Sequence, residues 1–202
     1  MSTVQREHTR TLPGVLLDSA LIVASILLAF ALNGWWEARQ ERQLAEKALN
    51  SIEIEIAQNR RNVLTAMPYH QRLQALFTEL SAAGSIRTFE DVRGLEGFDG
   101  FQPAVVTTTA WSTAINTGAL NHMNYELVNE LSAVYALQER FAEYSDFRHL
   151  LAPEAMADAN IAATMFSAEI YLIDVLTGAQ ELVATYDAIL SRLRDNTGPA
   201  AD

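Results

Sequence analysis

The most prominent pattern in the chain is an apolar run near its N-terminus. The segment Leu12–Trp36, LPGVLLDSALIVASILLAFALNGWW, contains one ionisable residue, Asp18. A helix rises about 1.5 Å per residue, so roughly 20 residues cross the hydrocarbon core of a bilayer. The part Ala20–Leu32 is apolar on every face except at Ser25, whereas a surface helix of a soluble protein shows a polar stripe. The pattern predicts a transmembrane helix over residues 12–36, preceded by a short tail over residues 1–11.

Residues around the end of this run bear on how it sits in a membrane. Trp35 and Trp36 fall where an interfacial aromatic belt is expected. A cleaved signal peptide needs small residues at its cleavage site, and Asn33-Gly34 followed by two tryptophans is a poor one. Basic residues are balanced on the two sides, so the positive-inside rule gives a tie. Because the leading segment is short and net positive, we expect the N-terminus on the cytoplasmic side of a membrane and the remaining chain outside the cytoplasm.

Asp18 is unusual because a carboxylate inside a spanning helix is costly, by about 2.5–3.5 kcal/mol at the centre and less near the interface. It shares one helical face with other polar and small residues, which is typical of a contact between membrane helices. Two interpretations stay open: Asp18 packs against a partner helix or a second copy, or it lies at the level of the lipid head groups. The predicted intramembrane contact consists of Asp18, Ile22, Ser25, Ala29 and Asn33.

The rest of the chain predicts an all-α domain over residues 37–196. Apolar residues recur at helical spacing from Ala45 onward without a breaker until Pro68, which predicts a helix over Trp36–Ala66 continuous with the membrane span. We expect Pro68 to end this helix and Tyr69–Ala83 to form an antiparallel hairpin with it. Gly84–Pro103 then predicts a loop, with a short helix at Thr88–Arg93.

Four further helices are predicted beyond this loop, which makes a four- to six-helix bundle. A short helix ending at Gly118 carries a threonine cap and directs Trp111 and Ile115 to the core. Asn124 caps the next helix. Gly178, with Thr177, is expected to separate the last two helices, and residues 197–202 to form a C-terminal tail. The four helices are predicted within Ala104–Asn116 and over Tyr125–Asp146, Pro153–Leu176 and Ala179–Arg194.

Charge and composition limit the partners. The 202 residues include 14 basic and 25 acidic side chains, a net charge of −11, which disfavours nucleic acid and other polyanions. Residues 1–100 hold 10 basic and 12 acidic side chains and residues 101–202 hold 4 and 13, so the acidity belongs to the distal helices. This bias is typical of a solvated face, and a docking face for a basic partner is the alternative.

The sequence lacks the common motifs of catalytic and cofactor-binding sites. The chain has no cysteine, which excludes disulfides, thiolate metal sites and a cysteine nucleophile. Its histidines stand apart from one another and form neither HExxH nor ExxH pairs. The phosphate-binding glycine patterns and the GxSxG elbow are absent. The four histidines are His8, His70, His122 and His149. We therefore expect no cofactor, no metal and no enzymatic activity.

Two stretches of the chain resemble a group of uncharacterised bacterial single-pass membrane proteins. One runs from the span through Asn33-Gly34-Trp35-Trp36 into a charged helix with Leu49/Ile52 and Glu55/Asn59. The other carries a tryptophan, a threonine-glycine pair and a helix ending at tyrosine, here Trp111, Thr117-Gly118, Glu126-Leu127 and Tyr135. The resemblance covers about a third of the chain and implies a membrane-anchored helical domain without a known activity.

Together with the resemblance, these observations predict a membrane-anchored interaction or scaffold protein of a bacterial inner membrane, either a homo-oligomer or an accessory subunit of a membrane complex. Its partners would be the bilayer and either further copies of the chain or another membrane protein. The alternative is a membrane-tethered domain that senses a ligand between its helices, with Gly84–Pro103 as a lid.

Overall fold

The computed structural model describes residues 12–145 and 161–197 of the chain. Every element in these ranges is helical, so the all-α prediction is confirmed for the part of the chain that the structure describes. The elements are α1 (Leu12–Ala83), α2 (Phe89–Arg93), α3 (Thr109–Asn116), a 3₁₀ turn (Ala119–His122), α4 (Tyr125–Ser145) and α5 (Ile161–Thr197).

The chain divides into two compact units, Met1–Leu44 and Ala45–Asp202, and α1 contributes residues to both. In the first unit, every side chain described between residues 16 and 40 is exposed. The second unit holds the core, which is built by α1, α4 and α5 together with contributions from α2, α3 and the 3₁₀ turn.

The second unit's part of α1 owes its length to an uninterrupted core stripe. Buried positions recur at intervals of three, four or seven residues from Ala45 to Phe77, which is the spacing of a coiled-coil seam. The stripe passes Pro68 without losing register, and Pro68 itself is exposed. Ending the helix there would remove the residues beyond it from the core, so the predicted break and hairpin at Pro68 are wrong. The buried positions of the stripe are Ala45, Ile52, Ile56, Asn59, Val63, His70, Leu73 and Phe77.

The same spacing explains why α5 is one helix. Its buried seam continues through Ala179 on the far side of the Thr177-Gly178 pair, so a break there would move half of the seam out of register. The predicted separation of two helices at this pair is therefore wrong. The seam consists of Met165, Ala168, Leu172, Val175, Ala179, Leu182, Tyr186, Ile189 and Leu193.

Local signals set the ends of the other helices. Thr88 caps α2 in a reciprocal capping box with Asp91, and the Asn124 side chain accepts a 3.1 Å hydrogen bond from the Leu127 amide at the start of α4. Gly118 adopts the left-handed conformation (φ 71°) after α3, as expected of a glycine beyond a helix end. Ile115 is 52% exposed, so its predicted core position is wrong. The proposed helix start at Pro153 and the tail over residues 1–11 lie outside the described residues. Of the tail predicted over residues 197–202, Thr197 is instead the last residue of α5, and the rest lies outside the described residues.

Gly178 is a position of close contact between α5 and α4. A Cβ atom placed there would lie 3.3 Å from Cδ2 of Phe141, a buried residue of α4. The absence of a side chain at this position lets the Phe141 ring pack against the α5 backbone.

We predict that Gly178→Leu lowers the free energy of unfolding by about 1–3 kcal/mol, because the larger side chain forces the two helices apart. Thr177→Leu is the matched control, since Thr177 is exposed on the neighbouring position. Thermal or urea unfolding followed by circular dichroism measures the difference. Equal stability of the two variants would show that the contact with Phe141 does not set the packing of α4 on α5.

Candidate functional site

A layer of polar side chains crosses the apolar seam where α1, α4 and α5 meet. Asn59 of α1 donates from Nδ2 to Oε1 of Gln138 in α4 at 2.9 Å. The Tyr186 hydroxyl of α5 donates to the same oxygen at 2.5 Å. All three residues are at most 1% exposed. In a coiled-coil seam a buried polar residue sets the register of its partners, so we infer that this polar layer aligns the three helices.

The polar layer also holds the backbone of Thr107, which precedes α3. The Thr107 amide donates to Oδ1 of Asn59 at 3.0 Å, while its carbonyl accepts from Asn59 Nδ2 at 2.8 Å and from Gln138 Nε2 at 2.8 Å. One turn further along α1, Asn62 Nδ2 donates to the Val105 carbonyl at 2.8 Å. Side chains of α1 and α4 thus provide hydrogen bonds to backbone groups of a segment that lies outside any helix.

Glu55 extends the polar layer by one turn of α1 and caps α3. One carboxylate oxygen, Oε2, accepts from the Ala110 amide at 2.9 Å and from the Thr107 hydroxyl at 3.3 Å, and Oε1 accepts from the Tyr135 hydroxyl at 2.7 Å. Thr108 precedes α3 but makes no capping hydrogen bond with its side chain, so the predicted threonine cap is replaced by a carboxylate from another helix. Acidic groups are favourable at a helix N-terminus, which offsets the burial of Glu55.

Burial changes the acidity of the two tyrosines in this region. Desolvation raises the pKa of Tyr135 far above its usual value, and the hydrogen bond to Glu55 raises it further. The pKa of Tyr186 is also raised, first by burial and then by the charge of Glu55. Both hydroxyls therefore act as hydrogen-bond donors throughout the physiological pH range.

A second set of contacts fastens the loop between α2 and α3 to α1. Nε2 of His70, which is 1% exposed, donates to the Phe101 and Gln102 carbonyls at 2.7 and 3.2 Å. The Tyr69 hydroxyl donates to the Gly100 carbonyl at 2.5 Å and accepts from the Asp99 amide at 3.0 Å. Rings pack around this attachment, so polar and aromatic contacts both hold the loop. The rings in contact are Phe77, Phe98, Phe101 and Tyr171.

A surface cleft of about 520 Å³ opens beside the polar layer. Trp111 and Tyr135 line it and stack on each other, with ring centroids 4.9 Å apart and planes 14° apart. Gln138, Glu139 and Ser112 supply polar groups to the walls. The sequence-based prediction that Trp111 anchors the core is correct in part, because one face packs on Tyr135 while the residue stays half-buried.

The residues predicted for the intramembrane contact lie in the first unit and are all exposed: Asp18, Ile22, Ser25, Ala29 and Asn33. The Ser25 hydroxyl donates to the Leu21 carbonyl at 2.8 Å, within its own helix. Trp35 and Trp36 are each 56% exposed, and the Arg39 guanidinium lies 5.9 Å from the Trp35 ring centroid. This face presents polar and small groups to its surroundings, and their contact with a partner stays a prediction.

Within residues 12–145 and 161–197, the structure brings no three histidine or acidic side chains together in an arrangement that could hold a metal ion. His70 uses its Nε2 for the loop carbonyls. The second unit therefore offers a structural polar layer and a surface cleft as its candidate sites.

The members of the polar layer lie at core positions of three different helices. Gln138 lies within the apolar stripe of α4 and Tyr186 within the seam of α5, and both are buried. Glu55 and Asn59 entered only through the resemblance to other membrane proteins. A polar residue at a core position of the four-three alternation was the signal that could have identified Asn59, Gln138 and His70 together.

No protein-family model matches the chain, and no curated protein or solved structure is significantly similar to it. The resemblance to bacterial single-pass membrane proteins therefore stays a prediction.

We predict that Asn59→Ala lowers the free energy of unfolding by about 1–3 kcal/mol, because the Thr107 amide loses its acceptor and Gln138 loses a donor. Asn62→Ala is the matched control, since Asn62 also bonds a backbone carbonyl but water can replace it at the surface. Urea unfolding monitored by circular dichroism compares the two variants. A larger loss for Asn62→Ala than for Asn59→Ala would contradict the assigned role of the polar layer.

The raised pKa values of Tyr135 and Tyr186 predict a loss of stability in alkali. An unfolded tyrosine ionises near pH 10, whereas these hydroxyls stay protonated in the folded chain. The stabilisation that these protonated hydroxyls give the folded chain is fully present below pH 10. Above pH 10 the free energy of unfolding falls, by up to about 1.4 kcal/mol per pH unit for each residue. In Tyr186→Phe the free energy of unfolding should fall less steeply with pH, by up to about 1.4 kcal/mol per pH unit, in urea titrations between pH 9 and 12. An unchanged slope would show that Tyr186 ionises equally in both states.

Proposed function

We propose that the chain is a membrane-anchored helical interaction protein, in which the apolar first part of α1 spans the bilayer and continues into a four- to six-helix domain. The observation that carries this proposal is the exposure of that part. Its most apolar stretch of 18 residues has a mean hydropathy of 2.1 and none of it is buried within the chain. Ten large apolar side chains between Leu16 and Leu32 are each at least 50% exposed.

Exposed apolar surface of this extent is unfavourable in water. Covering one large aliphatic side chain contributes about 1.5–3 kcal/mol, so the ten together provide a strong drive toward an apolar environment. They are distributed around the helix and leave two narrow arcs free of large apolar groups, one with Asp18, Ser25 and Ala29 and the other with Ala20, Ala24 and Ala31. Lipid can contact such a helix from nearly all sides, whereas a single protein partner would cover one side.

A second helix also has the length and composition of a span. The apolar stretch in Ile161–Asp195 has a mean hydropathy of 1.4, and a third of it is buried within the chain. Its buried positions belong to the α5 seam, and Tyr186 joins the polar layer with α1 and α4. These contacts favour a role as a core helix of the second unit.

The proposal includes a location and a class of partner. We place the chain in a bacterial inner membrane with the second unit outside the cytoplasm, on the weak asymmetry of the leading segment. The partners are lipid and either further copies of the chain or another membrane protein. We propose no catalytic activity, because the polar layer consists of hydrogen-bonded groups that hold backbone and other side chains in place.

A ligand-sensing function is the second candidate, and the cleft beside Trp111 and Tyr135 favours it. The Gly84–Pro103 loop supplies no lining residue to this cleft, and Tyr69 and His70 hold the loop against α1. Sensing would therefore use the cleft walls and not this loop as a lid. Screening the full chain in detergent for metabolites that raise its melting temperature tests this candidate; it predicts a ligand whose effect is lost in Trp111→Ala.

We predict that the full chain sediments with membranes and resists extraction by alkaline carbonate. Leu27→Lys combined with Leu28→Lys should release it, because each lysine near the centre of a span costs about 3 kcal/mol. The matched control is Ile54→Lys combined with Val105→Lys, which replaces apolar residues of similar exposure in the second unit. Equal retention of both variants would contradict the anchor.

A further prediction concerns Asp18. If its face contacts a membrane helix, Asp18→Leu should reduce crosslinking of the span at least several-fold in intact membranes, because the polar contact that holds the helices together is lost. Ser19→Leu is the control on a different face. Unchanged crosslinking in Asp18→Leu would favour the alternative in which Asp18 lies at the head-group level.

A further inference from the structure

An open groove of about 740 Å³ runs between α4 and α5 on the surface of the second unit. Ala133, Ala136 and Ala188 are exposed in it, and Val134 and Ile189 are buried at its base. The groove is thus a shallow apolar face formed by small side chains, which permits close approach of another backbone.

Two ion pairs cross this groove in opposite senses. At one end Glu130 of α4 pairs with Arg192 of α5. At the other end Arg140 of α4 pairs with Glu181 of α5, with 3.4 Å between Nη2 and Oε1. The pairs are separated by about 15 Å along the helices. All four side chains are 40–57% exposed and so remain available to a further charge.

This arrangement of charges is complementary to itself. At one end of the groove α4 carries the acid and α5 the base, and at the other end α4 carries the base and α5 the acid. A two-fold axis in the plane of the groove, either across the helices or along them, places every acid of one copy over a base of the other. Such an isologous contact needs only one kind of surface.

We propose that the groove between α4 and α5 is a docking surface for a second copy of this chain. The occupant is identified by the self-complementary charges; an acidic or a basic partner would meet like charges at both ends of the groove. The surface that α4 and α5 present at the groove covers about 600 Å², given the length of α4 and the usual spacing of two packed helices. That is below the roughly 800 Å² per partner of a stable soluble dimer.

Membrane tethering compensates for this small area. Two copies held in one bilayer meet at a high effective concentration, so a weak contact becomes populated. In this respect the inference rests on the proposed function, and it deepens that proposal by naming the partner and the surface.

The test uses disulfide crosslinking of the full chain, which is possible because the natural sequence has no cysteine. Ala136→Cys and Ala188→Cys are expressed singly and together as a mixture, and the fraction that contains the chain is oxidised with copper phenanthroline. An axis across the helices gives a dimer band with each single variant, whereas an axis along them gives the band only in the mixture. Either result supports the docking surface.

Thr78→Cys, an exposed residue of α1, reports crosslinking by random collision. A dimer yield at Ala136→Cys and in the mixture no higher than at Thr78→Cys would overturn the proposal. So would a crosslinked product of Ala136→Cys whose mass shows a different protein. A groove covered by another segment of the same chain gives no dimer and likewise overturns it.

The charges are tested by Glu130→Gln, Arg140→Gln, Glu181→Gln and Arg192→Gln combined in the cysteine background. Crosslinking should fall at least five-fold, while circular dichroism shows retained helix content. The matched control removes an ion pair between α1 and α5 by Arg60→Gln and Asp187→Asn, and it should leave the yield unchanged. Equal yields in the two variants would contradict docking by charge complementarity.

The crosslinking yield tests the docking surface, and membrane fractionation tests the anchor. A chain found in the soluble fraction that still crosslinks at Ala136→Cys refutes the anchor and leaves the docking surface standing. A chain retained in membranes without crosslinks above the Thr78→Cys level refutes the docking surface and leaves the anchor standing.

Discussion

The polar layer of Asn59, Gln138 and Tyr186 is the interaction on which the second unit depends. Apolar seams of α1, α4 and α5 could slide by one repeat with little change in buried area, because the four-three alternation repeats along each helix. A hydrogen-bonded layer permits one alignment only, since any other leaves polar groups buried without partners. The same layer binds the backbone of Thr107, and through Glu55 it caps α3. Helix register and the path of the connecting segment are thus set together.

The first unit follows a different principle. Its helix exposes apolar side chains around most of its circumference and contributes no core within the described chain. In the second unit a long helix is stabilised by packing along one stripe, whereas the first part of α1 requires its surroundings to supply the apolar contact. We propose that a bilayer supplies this apolar contact to the first unit and that the second unit binds a second copy at the groove between α4 and α5. Anchoring and docking thus belong to different units of the chain.

Sequence patterns predicted the helical class, the cap at Asn124 and the short helix at Thr88, because these depend on neighbouring residues. They misplaced the breaks at Pro68 and at Thr177-Gly178, where the propensity of one or two residues was outweighed by a core seam extending on both sides. The cap of α3 could not be predicted either. Glu55 lies 55 positions before Ala110, and only the packing of α1 brings its carboxylate to that helix. The polar layer joins three distant positions in the same way, and its separate members resemble ordinary core or surface residues.

Hydrogen exchange of the Thr107 and Ala110 amides measures how firmly the polar layer and Glu55 hold the segment that leads into α3. Thr107 lies outside any helix and Ala110 lies in the first turn of α3, where amides have no acceptor within the helix. Side chains of Asn59 and Glu55 provide their acceptors. We expect both amides to exchange as slowly as those in the middle of α4, through opening of the whole unit. Exchange of either amide at the rate of an unstructured peptide would contradict the claim that the polar layer holds this segment.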